Sequence, residues 1–482
     1  MGELDTYRSK RDARRTPEPV PAKAPKQRGR RRSPGDRFVV QEHHARALHW
    51  DFRLERDGVL VSWAVPKGLP VDRRTNRLAK RTEDHPLEYV DFEGEIPAGE
   101  YGGGRVTVWD HGHYELEKWS DDEVMVVLHG TRVEGRYVLF RTDGDRWMMH
   151  RMDEPQDPGF EPLPELVRPM LASPGSGIPT PDDDWGFEFK WDGVRAVCYV
   201  EGGRTRLLTR NDRDVTVSYP ELRALGEALG SRPAVLDGEI VAFGPDGVPS
   251  FGALQERMHV ADAGRARRLA ERTPVVFLAF DVLHLDGHST VDLPYEERRR
   301  RLDALGLAGS HWQTPTWFRG GGQSVLDAAR AQRLEGVVAK RLRSTYQPGR
   351  RSSDWVKVKH ARTQEVLVVG WTPGQGRRQG KLGALLLGVP RQGELTYAGK
   401  VGTGFTDRML DELGATLAPL VRPEPALAGP LPRAQVAGAT WVEPSLVGEV
   451  VFGEWTREGR LRHPSWRGLR PDKRPEEVVV ES

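Results

Sequence analysis

A proline-rich stretch at residues 154–169 constrains the folding of this chain more than any other feature. It holds five prolines among several acidic residues: Pro155, Pro158, Pro162, Pro164 and Pro169. Because proline lacks a backbone N–H and disfavours helix at the residue before it, neither a helix nor a central strand can continue through this stretch. The chain has 482 residues, several times the usual domain length of roughly 100–150. We therefore predict a linker at 154–169, with separate domains before and after it.

The segment before the linker, residues 33–153, has the pattern of a β domain. Apolar and polar residues alternate over short stretches that glycine and aspartate interrupt, at 105–109, 123–128 and 136–141. A period of two is typical of strands with one buried face. We predict an all-β barrel here.

The segments after the linker have other patterns. Residues 170–360 mix strand and amphipathic helix patterns, with strands at 188–200, 234–243, 275–285 and 336–340 and helices at 219–229, 261–272, 295–305 and 324–333. This mixture predicts an α+β domain. Residues 361–473 hold strand patterns at 365–371, 383–389 and 395–401 and a helix pattern at 406–417. We predict a small Greek-key barrel there, followed by a tail at 474–482.

The first 32 residues are strongly basic. They hold 11 lysines and arginines against four aspartates and glutamates, with few apolar residues. Such a composition buries too little apolar surface to fold, so we predict a disordered basic arm over residues 1–32. Two interpretations of the arm remain open: it binds nucleic-acid phosphate, or it is a solvated tail without a specific role.

Composition excludes several classes of protein. The longest apolar runs, such as residues 275–280, are far shorter than the roughly 20 residues of a membrane-spanning helix, and the N-terminus has no apolar signal region. We therefore expect a cytoplasmic protein without a membrane partner. The single cysteine, Cys198, cannot form an internal disulfide or a cysteine zinc cluster. A metal site must use histidine and carboxylate ligands.

The cations and imidazoles are unevenly used. The chain has 13 lysines and 59 arginines, and a guanidinium is effectively never deprotonated and cannot act as an amine nucleophile. Lysines are therefore the candidate residues for amine chemistry in this chain, especially Lys190, Lys340, Lys357 and Lys359. Eight of the 14 histidines fall between residues 38 and 150, which is where we expect a metal.

Residues 188–195, with the sequence EFKWDGVR, start an ordered series of polar motifs in the middle segment. On a strand Glu188 and Lys190 would share one face, and Gly193 permits a tight turn that returns Arg195 towards them. Further motifs follow in order: Arg210, residues 237–239, residues 280–281, residues 335–340 and residues 355–359. A lysine amine can attack the α-phosphorus of a nucleotide if neighbouring cations lower its pKa. Two carboxylates, Glu239 and Glu335, could hold a divalent cation, and Phe280 offers a flat surface for a base.

This series resembles the covalent nucleotidyltransferase superfamily of ATP-dependent DNA ligases and capping enzymes. The resemblance implies an ATP-grasp-like ligase core with Lys190 as the adenylated nucleophile. It also implies an ATP site with Mg²⁺ or Mn²⁺ in which the other residues surround the nucleotide: Glu188 near the adenine edge, Phe280 on adenine, Arg195 and Arg210 at ribose and nicked-strand phosphates, Glu239 at the ribose and metal, Glu335 at the metal, and Lys357 and Lys359 at the α-phosphate. Lys340 belongs to the same ATP site as a further cation.

The third segment resembles the OB-fold that follows the transferase domain in such ligases. The strands of that fold correspond to residues 380–388 and 399–405, and residues 461–473 resemble its terminal motif. By this resemblance Arg470 and Lys473 orient pyrophosphate during lysine adenylation. A solvated basic tail is the alternative interpretation of these two residues.

Two polar clusters stand out in the first segment. In residues 41–55 a period of two places His49, Asp51 and Arg53 on one strand face, with His43 just upstream. Imidazole, carboxylate and guanidinium on one face suit a metal beside a phosphate. The second cluster comprises Arg77 and residues 83–89, which are rich in groups for phosphate binding and proton transfer.

These clusters and the stretches at 62–68 and 92–97 are similar to the 3′-phosphoesterase module of bacterial ligase D, an enzyme of non-homologous end joining. The similarity implies that a 3′-terminal ribonucleotide or 3′-phosphate is removed to leave a 3′-OH. The implied site has two parts, a manganese held by His43, His49 and Asp51, and a scissile phosphate held by Arg53, Arg77 and His85 with support from Glu83 and Tyr89.

The resemblances together predict a DNA repair ligase that acts on DNA ends and nicks near the nucleoid. Ligase D proteins commonly carry a polymerase domain for which 482 residues leave no room, so Ku and a separate polymerase are candidate partners. Two alternatives remain: an RNA ligase or capping enzyme, and a non-catalytic protein that bridges DNA ends.

Overall fold

The protein is described here by a computed structural model, which covers residues 4–21, 36–360, 362–374, 382–453, 455–456 and 458–481. In these ranges, residues 154–169 contain neither helix nor strand. Within the covered part of the chain, we find no helix with both the length and the apolar character needed to cross a membrane.

The first domain is an eight-stranded barrel with one added strand. Its elements are α1 (Asp5–Ser9), β1 (Arg37–His44), β2 (Leu48–Arg56), β3 (Val59–Val65), β4 (Arg77–Arg81), β5 (Gly94–Ile96), β6 (Gly104–Trp119), β7 (Glu123–Gly130), β8 (Glu134–Asp143) and β9 (Arg146–Arg151). The strand order is β1-β2-β3-β4-β9-β8-β7-β6, and pairing of β6 with β1 closes the barrel, while β5 extends from β6. Trp50, Phe52 and Leu54 of β2 point into the barrel core. The predicted all-β barrel is confirmed.

The prediction of a disordered arm is wrong for residues 4–21, and the rest of that arm lies outside the described residues. Leu4, just before α1, and Tyr7, on α1, join a core cluster with Tyr89 on the outer side of the barrel. Tyr7 is completely buried. The average composition of the segment is polar, but two apolar side chains on one face are enough to dock it on the barrel.

The middle domain contains two sheets. Its strands are β10 (Leu171–Pro174), β11 (Trp185–Phe189), β12 (Val194–Glu201), β13 (Arg204–Thr209), β14 (Ala234–Ala242), β15 (Val275–Leu285), β16 (His288–Ser289), β17 (Trp312–Gln313), β18 (Trp317–Arg319), β19 (Gly336–Arg341) and β20 (Arg351–Lys359). One sheet has the order β10-β20-β19-β11-β18, and the other has β13-β12-β14-β15-β16 with β17 beside β15. The described helices are α2 (Ala224–Leu229), α3 (Phe251–Gln255), α4 (Ala263–Arg272), α5 (Tyr295–Asp303) and α6 (Gly322–Ala331).

The predicted continuous strand at 188–200 is instead two strands, β11 and β12, that belong to different sheets. The chain turns between them at residues 190–193. A Cβ at Gly193 would lie 2.2 Å from the carbonyl oxygen of Ile240, so only glycine permits this crossing. The turn places Lys190 where the two sheets meet.

The third domain is a largely antiparallel sheet with helices at its edge. Its elements are β21 (Arg362–Pro373), β22 (Leu382–Arg391), β23 (Glu394–Val401), α7 (Asp407–Leu417), β24 (Val421–Arg422), α8 (Arg433–Val436), β25 (Thr440–Val442), β26 (Val447–Phe452) and β27 (Ser465–Leu469). The path β23-β22-β21-β25-β24 branches at β21, which also pairs with β26, and β26 pairs with β27. Gly380 and Lys381 of the predicted strand motif lie outside the described residues. The side chain of Thr406 caps α7 by accepting from the Met409 N–H at 3.2 Å.

A buried ion pair fixes α5 to β15. Arg298 donates to the two carboxylate oxygens of Asp281 at 2.8 and 2.9 Å, and both side chains are completely buried. Removal of one member of such a pair leaves an uncompensated charge in the core.

We predict that Arg298→Met lowers the free energy of unfolding of the middle domain by roughly 3–5 kcal/mol, because it leaves the buried Asp281 carboxylate without its cationic partner. Chemical denaturation followed by circular dichroism measures the loss. Arg300→Met on the same helix is the matched control, since the Arg300 side chain is 69% exposed and its loss should cost under about 0.5 kcal/mol. Equal losses in both variants would contradict this interpretation.

Candidate functional site

Three of the predicted metal ligands meet on the outer face of the barrel. One ligand atom from each of His43, His49 and Asp51 lies within 4.8 Å of the others. His43 and His49 are directly opposite each other on β1 and β2, and Asp51 follows two residues later on the same face. The local β pattern therefore brings the three side chains together, as the period of two predicts.

Backbone carbonyls set the orientation of both imidazoles. The Nε2–H of His43 donates to the carbonyl of Gly102 at 2.8 Å, which leaves Nδ1 facing Asp51 at 3.5 Å. The Nδ1–H of His49 donates to the carbonyl of Ala47 at 3.0 Å, which leaves Nε2 facing Asp51 at 3.7 Å. Metal-binding histidines typically donate their second N–H in this way. Two imidazole lone pairs and a carboxylate thus share one space, a donor set that suits a divalent transition-metal ion.

Arg53 links the metal ligands to the second predicted cluster. Its guanidinium donates to Asp51 at 2.9 Å, to Gln41 at 2.8 Å and to Ser62 at 2.8 Å. It also donates to Nδ1 of His85 at 2.9 Å. The same ring nitrogen also lies 2.9 Å from the backbone carbonyl of Glu83, so Nδ1 of His85 is held between Arg53 and the main chain.

The charges of this cluster are set by burial and by Arg53. Burial opposes ionisation of Asp51, but Arg53 and the two metal-facing imidazoles outweigh it and hold the pKa of that carboxyl well below its usual range. Burial lowers the pKa of His85, and the cations Arg53 and Arg11 lower it further. The site therefore contains an ionised Asp51 and a neutral His85.

The N-terminal arm completes the site. Arg11, whose side chain is 5% exposed, donates to Glu18 at 2.7 Å and to Glu83 at 3.0 Å. Its guanidinium lies 3.5 Å from Nε2 of His85. Glu18 also accepts from the Tyr89 hydroxyl at 3.1 Å. Arg11 and Glu18 are site residues that the sequence reasoning missed, and the signal that could have found them is the apolar pair at residues 4 and 7.

The prediction that Arg77 holds the scissile phosphate is not supported by its position. Arg77 donates to Glu201 of β12 at 2.7 Å. Asp51 pairs with Ala64 and Ala64 pairs with Lys80, so Lys80 lies on the face of Asp51. Arg77 is three residues away from Lys80, and the alternation of β4 turns its side chain to the opposite face.

The predicted nucleotide-binding residues converge on a second site in the middle domain. A cavity of about 180 Å³ is lined by all eleven of them: Glu188, Lys190, Arg195, Arg210, Glu239, Phe280, Lys340, Lys357, Lys359, Arg470 and Lys473. They come from both sheets and from the third domain. Glu335 lies beside this cavity, in contact with Lys190.

Lys190 and Lys359 share the Glu335 carboxylate. The Nζ of Lys190 is in direct contact with one oxygen of Glu335, and Lys359 lies 3.0 Å from the other. The backbone N–H of Lys190 donates to the Gly336 carbonyl at 2.9 Å, which joins the turn to β19. Burial opposes ionisation of Glu335, but Lys190 and Lys359 keep its pKa well below the usual range. Glu335 is therefore an anion next to Lys190.

Glu239, the second carboxylate predicted to bind a metal, differs from Glu335 in its pKa. Burial raises the pKa of Glu239 to about 7, against the opposing effects of Arg195 and Lys190. A divalent cation would favour the ionised form. Within the described part of the chain, Glu239 and Glu335 belong to no group of three close ligands. Nucleotide phosphates and water would supply the remaining ligands, as is usual for Mg²⁺.

The opposite end of the cavity is aromatic and cationic. The Phe280 ring has the Lys340 Nζ 4.4 Å and the Arg195 guanidinium carbon 4.5 Å from its centroid. Glu188 accepts from Lys340 at 2.9 Å and from the Tyr295 hydroxyl at 2.5 Å. Lys340 and Glu188 thereby neutralise each other behind the ring.

The third domain closes the cavity. Lys473 lies 2.5 Å from Glu365, and Arg470 pairs with Asp472 at 2.7 Å and with Glu449 at 3.3 Å. Across the domain boundary, the side chain of Asn211 donates to the backbone carbonyl of Asp472 at 2.7 Å. The sequence reasoning named the two cations and missed their three carboxylate partners.

Comparisons with known proteins match each region separately. A family model described as the DNA Ligase D 3′-phosphoesterase domain matches residues 41–141. The ATP dependent DNA ligase domain matches residues 169–359, and the ATP dependent DNA ligase C terminal region matches residues 378–473. A multifunctional non-homologous end joining DNA repair protein LigD of Mycobacterium tuberculosis is 49% identical over 482 residues, covering 99% of this chain and 61% of the relative.

The chain belongs to the ligase D family.

Other ligase D proteins agree with this assignment. The multifunctional non-homologous end joining protein LigD of Pseudomonas aeruginosa is 37% identical over 537 residues, covering 99% of this chain and 62% of the relative. The chain thus spans about three fifths of the length of these relatives. A solved structure of mycobacterial DNA ligase D complexed with ATP and MES matches with a TM-score of 0.51 and 45% identity, covering 65% of this chain and 98% of that chain.

For this ligase D family member we predict that Arg11→Ala slows 3′-phosphate removal by roughly 10- to 100-fold, because it deletes charge-assisted hydrogen bonds at Glu83 and Glu18. Release of phosphate from a 3′-phosphate primer measures the rate. Arg14→Ala, an exposed arginine on the same arm, is the control and should keep the wild-type rate. A normal rate in Arg11→Ala would show that the arm only covers the site.

Proposed function

We propose that the chain is an ATP-dependent DNA ligase of non-homologous end joining that also heals 3′ ends with a metal-dependent phosphoesterase. The observation that carries the ligase half is the convergence of eleven predicted nucleotide-binding residues on one cavity around Lys190. The 3′-OH left by the phosphoesterase is the group that a ligase requires. A fused healing module favours a DNA ligase over a capping enzyme.

The ligase reaction would start at Lys190. Its Nζ attacks the α-phosphorus of ATP, an N–P bond forms, and the bond to pyrophosphate breaks. Lys357 and Lys359 would balance charge on the α-phosphate, and Arg470 and Lys473 would receive the pyrophosphate. AMP then passes to a 5′-phosphate, and the neighbouring 3′-OH displaces it to seal the strand.

The phosphoesterase reaction would use the outer face of the barrel. A divalent cation bound by His43, His49 and Asp51 supplies Lewis-acid polarisation of a phosphate oxygen. Arg53 and Arg11 would bind the phosphate, with Glu83 and Tyr89 holding them in place. His85, which lies 2.9 Å from Arg53, would help to hold the scissile phosphate.

Several finer assignments belong to the same proposal. The position of the cavity between two sheets supports an ATP-grasp-like ligase core, and the branched antiparallel sheet after it supports an OB-fold. Mg²⁺ or Mn²⁺ would serve the ligase site and Mn²⁺ the phosphoesterase site. Substrates would be DNA ends and nicks, including 3′-ribonucleotide and 3′-phosphate termini, at the nucleoid. Ku and a separate polymerase are the proposed partners.

A substitution at one site should abolish the activity of that site and leave the activity of the other site unchanged. Lys190→Ala removes the attacking amine, so it should abolish lysyl-AMP formation and sealing while sparing 3′-phosphate removal. His49→Ala removes a metal ligand, so it should abolish 3′-phosphate removal while sparing sealing at a 3′-OH nick. Gel assays with 5′-labelled strands separate the activities. Loss of both activities in a folded single variant would contradict separate sites.

The activities should also work in series on one chain. We expect a nick with a 3′-phosphate across from a 5′-phosphate to be sealed with ATP and Mn²⁺, through a 3′-OH intermediate visible on the gel. A 3′-OH nick is the control. Sealing of the control alone would refute the phosphoesterase, whereas failure of both would refute the whole proposal.

A further inference from the structure

Residues 474–481, called the strap, follow the matched ligase region and run back along the nucleotide cavity. The strap forms a short 3₁₀ helix at Pro475–Glu477, and Val478 beyond it is 2% exposed. The prediction of a plain tail at 474–482 does not hold for these residues. Ser482 lies outside the described residues.

One buried amide clamps the strap to the third domain. Gln364 of β21 is completely buried. Its Nε2 donates to the Val479 carbonyl at 2.8 Å, and its Oε1 accepts from the Glu481 N–H at 2.8 Å. The Glu481 carbonyl also accepts from the indole N–H of Trp455 at 2.9 Å. The backbone of the strap is therefore fixed independently of its side chains.

Two carboxylates of the strap cross to the middle domain. Glu477 pairs with Arg210 at 2.8 Å. Glu481 places one oxygen 2.5 Å from Lys357 and the other 3.3 Å from Lys359, and it lines the cavity directly. These three cations are the ones expected to contact phosphates of the substrates.

The Glu481 carboxylate has the chemistry of a phosphate at this position. It is an anion that presents one oxygen to each of two lysines, as an α-phosphate would. Burial lowers the pKa of Lys357 to about 8, against the opposing effect of Glu481. Two neighbouring ammonium groups in a closed cavity repel each other, so an anion between them stabilises the closed form without nucleotide. A carboxylate and an α-phosphate cannot both occupy that space.

We propose that Glu481 occupies the α-phosphate position of the nucleotide cavity and competes with ATP for Lys357 and Lys359. This inference rests on the proposed nucleotide-binding role of those lysines. ATP must displace the carboxylate before Lys190 can react, so the strap sets the ATP concentration at which adenylation begins. Because the backbone of the strap is anchored, Glu481 can return to Lys357 and Lys359 when the nucleotide leaves the cavity.

The test is the ATP dependence of lysyl-AMP formation in the full chain, measured with ATP labelled in the α-phosphate. Glu481→Gln keeps the side-chain shape and the Gln364 clamp but removes the charge. The KM for ATP should fall roughly tenfold, the factor expected for one charge-assisted interaction, with the maximal rate unchanged. Glu476→Gln makes the same charge change at an exposed position of the strap and should leave KM at the wild-type value.

Each outcome separates this inference from the ligase assignment. An unchanged KM in Glu481→Gln, with normal adenylation in the wild type, overturns the competition. A raised KM or a reduced maximal rate also overturns it, because the strap would then be a latch that assists the reaction. Absence of lysyl-AMP in the wild-type chain would refute the proposed function itself. A sealing assay on a pre-adenylated nick, which needs no ATP, should give equal rates in both variants.

Discussion

Positive charge gathered around one small cavity is the constraint on which the ligase half of the structure depends. Two unit charges about 4 Å apart repel by roughly 4 kcal/mol at the effective dielectric of a protein surface. Lys190 and Lys359 share Glu335, Lys473 pairs with Glu365, and Arg470 pairs with Glu449. Glu365 and Glu449 lie on the third domain beside Lys473 and Arg470, so this domain brings basic residues to the cavity together with their compensating carboxylates.

The ligase site could be predicted well because its residues lie in short motifs that keep their order along the chain. The scarcity of lysine pointed to Lys190, Lys357 and Lys359, and all three line the cavity. The carboxylate partners could not be predicted in the same way. Lys473 and Glu365 are 108 positions apart within the third domain, and no local periodicity links residues that are so far apart along the chain.

The fold was predicted at the level of domains and less well at their edges. Alternation identified the barrel and the metal-ligand face, because a period of two is a local property of a strand. The single strand predicted at 188–200 is two strands. A tight turn at Gly193 was expected, but alternation continues across it and does not show that the chain passes there from one sheet to the other. The face of the barrel on which Arg77 lies depends on the register of β3 and β4, which the sequence of either strand alone does not specify.

Because the N-terminal arm contributes residues to the site, the site begins earlier in the sequence than the barrel does. The family model matches from residue 41, and the barrel strands begin at Arg37. Arg11 and Glu18 lie well before both. A chain cut just ahead of β1 would retain every strand of the barrel and all three metal ligands, and would still lack the guanidinium beside Glu83 and His85. In this domain, the segment that contains all the barrel strands is therefore shorter than the segment that contains all the site residues.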